Sequence, residues 1–192
     1  MRALLLHGLR GSKHFLYLYC YALKYYQANF VVLLGDTVSP AIVRGFRDLC
    51  GAVVLGVLGK YDNAAVASAL NESGGLLECR SVDLGGFALY GVSLSGCINL
   101  KPRKVDVVVA PIPGLKYGCC IPGSSAVDNV VEVLKPRVVI TGSCKSPCER
   151  GPVFSPGNAT LGYLGVLDLQ GEQLKTWATN IHSLLYKLFN GS

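Results

Sequence analysis

FVVLLGD at residues 30–36 and AVVLGVLGKYD at residues 52–62 carry the reading of this chain. Each is a run of Val and Leu that stops at a glycine and a polar turn, which is how a strand covered on both faces ends. ALLLHG at 3–8, VDVVVAP at 105–111 and RVVITGSCK at 137–145 repeat the pattern. Helix-like segments lie between several of these runs, and that alternation predicts an α/β structure. In open α/β sheets, ligands bind where strands release into turns. Candidate chemistry therefore collects at Leu5-Leu6-His7-Gly8, Gly35-Asp36, Gly59-Lys60-Tyr61-Asp62, Val109-Ala110-Pro111 and Gly142-Ser143-Cys144-Lys145.

Outward from these runs, strands are predicted over Arg2–Leu6, Phe30–Leu34 and 52–57. Helices are predicted over 13–27, over Ala64–Glu72, and from Ser39-Pro40, where Ser is the N-cap and Pro the first helical residue. Gly85-Gly86 joins 80–84 to Phe87–Gly91 as a two-residue hairpin. Segments 105–110 and 137–141 return as core strands around a helix over 124–134. Val153–Ser155, 163–169 and 173–176, the last two joined by Gln170-Gly171, complete the sheets before a final helix over 180–189. No repeat or linker divides the chain, so residues 1–192 are expected to form one domain.

Composition narrows the function classes. With 51% apolar and 16% charged residues, the chain is expected to be compact rather than disordered. Its longest apolar run falls well short of the roughly 18 to 20 residues that a bilayer span needs, and the first run does not end in a cleavage site, so a cytoplasmic protein is expected. The formal net charge of +6, with a local focus at Lys101, Arg103 and Lys104, favours anionic ligands. Nucleic acid is not the expected partner, because basic residues are not interleaved with aromatics in a recognisable module. Walker, G-x-S-x-G and G-x-G-x-x-G patterns are absent from the sequence.

Order and spacing of the five stations closely resemble those of the calcineurin-like metallophosphoesterases, which read Asp-x-His, Gly-Asp, Gly-Asn-His-Asp, a lone His and Gly-His-x-His. The resemblance implies a two-sheet β-sandwich flanked by α-helices, and two divalent metals activating a hydroxide for phosphate-ester hydrolysis. Asp36 matches the bridging carboxylate and His7 the imidazole after the first strand. Leu5 stands at the first carboxylate, Lys60 at the amide ligand, and Tyr61 at the histidine that helps protonate the leaving group. Ala110 stands at the lone His, with Pro111 one residue away, and Ser143 and Lys145 stand at the final His pair. Asp62 matches the acid that orients a neighbouring histidine, and Ser155-Pro156-Gly157-Asn158 is similar to the family's closing turn.

Two remnant ligands, His7 and Asp36, do not hold two ions, so no metal cofactor is expected. The expected protein is a non-catalytic homologue whose cleft binds phosphate or a nucleotide through Arg10, Lys60 and Lys145. A plain ion pair between Asp36 and a lysine is the simpler reading of the same residues. Two other functions stand beside it: an active phosphodiesterase or phosphatase with an unconventional site on His7 and Asp36, and an interaction scaffold. The scaffold would use the tyrosine-rich helix 13–27, whose Leu16, Cys20, Leu23 and Gln27 are expected to face the core while tyrosines such as Tyr19 and Tyr25 face a partner or a second copy.

Eight cysteines are many for an intracellular chain, and with a single Met they fit a hyperthermophilic source. Cys119-Cys120 and Cys144-x3-Cys148 both follow core strands. A disulfide between these segments is the preferred reading, beside a four-thiolate zinc site and buried free thiols.

Overall fold

The computed structural model describes residues 1–98, 100–101 and 104–190, with backbone alone at residues 188 and 189. Arg103 of the basic cluster lies outside the described residues. In chain order the elements are β1 (Arg2–Leu6), α1 (Lys13–Tyr25), β2 (Phe30–Leu34), α2 (Pro40–Asp48), β3 (Val53–Val57), α3 (Ala64–Glu72), β4 (Ser81–Leu84) and β5 (Phe87–Gly91). Then follow β6 (Val107–Ala110), α4 (Ser125–Leu134), β7 (Val138–Thr141), β8 (Cys148–Arg150), β9 (Val153–Ser155), β10 (Tyr163–Gln170), β11 (Gln173–Asn180) and α5 (Ile181–Asn190).

Two sheets form, in the orders β11-β10-β1-β2-β3 and β4-β5-β6-β7-β9-β8. Strands β1, β2 and β3 run parallel, as do β5, β6, β7 and β9. The alternation of side chains along each strand explains the uniformly apolar runs. Leu5, Val32, Leu34 and Leu55 point one way and meet Leu89, Val109, Ile140 and Phe154 of the second sheet, closing the inter-sheet core. Leu4, Leu6, Val31 and Leu33 point the other way, under Leu16, Phe46, Leu70 and Leu184 of α1, α2, α3 and α5. Helix α4 covers the far face of the second sheet through Val127, Val130 and Leu134. The expected sandwich with helices outside is thus the observed architecture.

Local signals place the helix starts. Asn63 accepts hydrogen bonds from the N–H groups of Ala65 and Val66, and Ser124 accepts one from Ala126, so both cap as such residues do. Ser39 occupies the N-cap of α2 without a side-chain cap bond, and Pro40 supplies the preset backbone.

Some expectations are corrected. The turn between β10 and β11 is Gly171-Glu172, one residue later than expected, and β11 runs on to Asn180. Strand β8 has no apolar run of its own and is defined by its antiparallel pairing with β9. Helix α1 ends at Tyr25, because Tyr26 closes it and Gln27 adopts a left-handed backbone, φ 53°. Tyr19 is not a surface residue. It is fully buried, and its hydroxyl donates to the carbonyls of Ala159 at 2.7 Å and Tyr163 at 3.2 Å, while burial pushes its pKa up. Tyr25 is exposed, as expected, and so is Tyr17.

The cysteines lie in four pairs at disulfide distance: Cys20 with Cys50, Cys79 with Cys97, Cys119 with Cys148, and Cys120 with Cys144. The last two join the segments expected to be bridged. Among the described residues no helix is long and apolar enough to cross a membrane.

Replacing Tyr19 by Phe removes both bonds of a buried hydroxyl while Ala159 O keeps the Gly162 N–H, which is expected to lower stability by about 0.5–1.5 kcal/mol. Tyr17→Phe, at an exposed position, is expected to stay within about 0.5 kcal/mol of the parent. Urea denaturation of both variants checks this, and equal midpoints would contradict the assigned role of the Tyr19 hydroxyl.

Candidate functional site

Strand-end turns converge here because glycine lets their backbones approach. A Cβ on Gly59 would collide with Asp36, and one on Gly142 would meet the Leu34 carbonyl, the His7 ring and the Pro111 carbonyl. Gly35, at φ 90°, would place its Cβ 2.7 Å from the Gly59 Cα. Backbone hydrogen bonds then zip the turns together. The N–H of Gly8 donates to Gly35 O (3.1 Å), Arg10 to Asp36 O (3.0 Å), Gly142 to Ala110 O (2.9 Å) and Ala159 to His7 O (2.8 Å).

On this floor His7 and Asp36, both buried, face each other with Nε2 and Oδ2 3.5 Å apart. The other carboxylate oxygen accepts the Tyr61 N–H at 3.2 Å. Burial pushes the Asp36 pKa up, but the His7 contact, the Tyr61 N–H and the charges of His7 and Arg10 outweigh it and hold the carboxyl below its ordinary range. His7 Nδ1 is buried without a partner.

Above the pair opens a cleft of about 640 Å³, lined by His7, Arg10, Asp36, Lys60, Tyr61 and Lys145 together with Pro111, Ser143, Cys144 and Asn158. The fold therefore gathers the three expected cations in one place. Arg10 and Lys60 both lie over the Tyr61 ring, 5.8 and 5.9 Å from its centre. Among the described residues no lysine pairs with Asp36, so the simpler ion-pair reading is corrected: its partner is His7.

Other stations sit elsewhere. Leu5 lies in the inter-sheet core and Ala110 under α4, so Pro111 is the residue after β6 that reaches the cleft. Asp62 does not line the cleft. Its carboxylate accepts the N–H groups of Val38 (2.6 Å) and Gly59 (2.7 Å), tying the turn after β2 to the turn after β3. Asn158 caps the next turn, accepting the Thr160 N–H at 2.9 Å and its hydroxyl at 2.7 Å. The last residue of the Ser155-Pro156-Gly157-Asn158 turn thus lines the cleft, a place that its part in the closing turn did not by itself imply.

No protein-family model matches the sequence, and no curated protein does. Solved structures do match. The protein TT1561 of Thermus thermophilus superposes with a TM-score of 0.72 at 14% identity, covering 94% of this chain and 98% of that one. A structure described as a novel archaeal phosphodiesterase gives 0.60 at 13% identity, covering 93% and 100%. A predicted phosphoesterase from Streptococcus pneumoniae gives 0.55 at 11%, covering 94% and 90%. The fold is metallophosphoesterase-like. At these identities the likeness concerns the fold, and the donor set must be read from this chain's own residues.

Gly142→Ala is expected to lower stability by about 1–3 kcal/mol, because one methyl overpacks the junction of three turns. Thermal unfolding measures it, and an unchanged midpoint would contradict the close approach. The Asp36 pKa lies below its unfolded value of 3.8, so the ionised carboxylate stabilises the fold above that pH and loses the contribution as pH falls through the folded value. Asp36→Asn is therefore expected to lower the midpoint at pH 7 and to approach the parent in acid. A gap independent of pH would contradict this.

Proposed function

We propose that this phosphoesterase-fold protein binds a phosphate-bearing small molecule in a cleft that holds no pair of divalent metals, and that it does not hydrolyse the ligand. The observation that carries the reading is the single cleft shared by Arg10, Lys60 and Lys145, three cations against the one carboxylate of Asp36. A cation about 4 Å from a phosphate oxygen is worth about 4 kcal/mol at an effective dielectric near 20, less where the side chain is exposed. The donor set supports the metal-free part. The Pro111 side chain offers no lone pair, and the ammonium groups of Lys60 and Lys145 bring positive charge without one. The Asn158 amide oxygen is taken by the Thr160 N–H and hydroxyl, and His7, Asp36 and the Ser143 hydroxyl are too few for two ions, the first two already facing each other.

One observation favours a second reading, a phosphodiesterase with a single ion on His7 and Asp36: the buried His7 Nδ1 has no partner. The two separate by experiment. Calorimetry with inorganic phosphate and AMP, in the presence of a chelator, is expected to show one site per chain. Arg10→Ala and Lys145→Ala are each expected to weaken it about tenfold or more. Absence of binding would overturn the proposal. So would manganese-dependent cleavage of a generic phosphodiester that Asp36→Ala abolishes, and that outcome would establish the second reading.

A further inference from the structure

Behind the wall of the cleft, two short segments bring four sulfur atoms to one place. The Sγ atoms of Cys119, Cys144 and Cys148 all lie within 4.8 Å of one another, and Cys120 Sγ is in bonding contact with that of Cys144. In a tetrathiolate zinc site, bonds of about 2.3 Å place the sulfurs about 3.8 Å apart, so the cluster is already near the size of that coordination shell. Cys20 with Cys50, and Cys79 with Cys97, stand as separate pairs and offer two sulfurs each.

We propose that Cys119, Cys144 and Cys148, with Cys120 as the fourth donor, form a tetrathiolate site for a zinc-type divalent ion when their two bridges are reduced. This corner of the fold is then held by two disulfides in an oxidised protein and by one ion in a reduced one. The exchange balances with a dithiol reductant. Each dithiol gives two electrons and two protons to one bridge and becomes a disulfide itself, leaving four thiols. The ion replaces the thiol protons, which pass to solvent.

Proximity of the segments does not depend on the bridges. The Arg150 guanidinium donates to the Gly118 carbonyl at 3.3 Å, holding the strand of Cys148 against the segment of Cys119 and Cys120. Gly118 N–H donates to Gly114 O at 3.0 Å, Gly142 N–H to Ala110 O at 2.9 Å, and Asn158 N–H to Lys145 O at 3.2 Å, so each segment is fixed by its own backbone. Four thiolates around a divalent ion carry a net charge of −2. Arg150 lies beside Cys119, Cys120 and Cys148 to offset it, against Glu149, and Lys145 follows Cys144 in the chain. An open hollow lined by Leu115, Cys119, Cys120, Ile121 and Cys148 gives the ion a path in. Neighbouring cysteines chelate poorly when both point the same way. Here Cys119 and Cys120 reach different partners, and Cys144 lies near both.

The test uses the whole chain, reduced without air and titrated with Co2+, whose visible bands report tetrahedral thiolate ligation. One ion per chain is expected, displaced by Zn2+. Cys119→Ser or Cys148→Ser is expected to weaken binding at least about tenfold, and Cys79→Ser/Cys97→Ser to leave it unchanged. A second readout needs no variant: in the parent chain, Zn2+ is expected to protect Cys119, Cys120, Cys144 and Cys148 from alkylation while Cys20, Cys50, Cys79 and Cys97 react. Failure of the reduced chain to bind Co2+, or protection falling on other cysteines, would overturn the proposal.

Discussion

Everything at the cleft depends on backbones meeting where a side chain would keep them apart. Gly35 faces Gly59, Gly59 faces Asp36, and Gly142 is wedged between the Leu34 carbonyl, the His7 ring and the Pro111 carbonyl. These contacts fuse the ends of β1, β2, β3, β6 and β7 into one floor spanning both sheets. Backbone hydrogen bonds join several of these turns, and Asp62, which does not line the cleft, ties the turn after β2 to the turn after β3, so the cations that line the cleft are a separate matter. That separation lets a metallophosphoesterase-like fold present Lys60, Pro111, Ser143 and Lys145 at its cleft without disturbing the floor beneath them.

The charge arrangement follows from the same geometry. His7, the Tyr61 N–H and Arg10 stabilise the ionised form of Asp36 against its burial, so the single carboxylate of the cleft is already engaged. Arg10 and Lys60, over the Tyr61 ring, and Lys145 in the same lining then leave a positive balance, with all three residues exposed. An anionic ligand suits such a cleft better than a cation does.

Much of the fold was legible because burial on both faces forces strands such as Phe30–Leu34 into unbroken apolar runs. The glycine turns, and the start of α2 at Ser39-Pro40, were legible for equally local reasons. What sequence could not supply depended on contacts between distant segments. Strand β8 exists through its pairing with β9, and Tyr19 is drawn inward by the carbonyls of Ala159 and Tyr163, far along the chain. The site followed the same division. His7, Arg10, Asp36, Lys60, Tyr61 and Lys145 do share a cleft, whereas the bracing role of Asp62 and the choice of Pro111 over Ala110 depend on three-dimensional aim.

The central claim is that this floor carries too few donors to hold a pair of divalent ions. Titration of the oxidised protein with Mn2+, followed by the paramagnetic resonance of the free ion, tests it most directly. The free-ion signal is predicted to track the added metal, with no stoichiometric loss. Two Mn2+ bound per chain, released by Asp36→Asn, would contradict it.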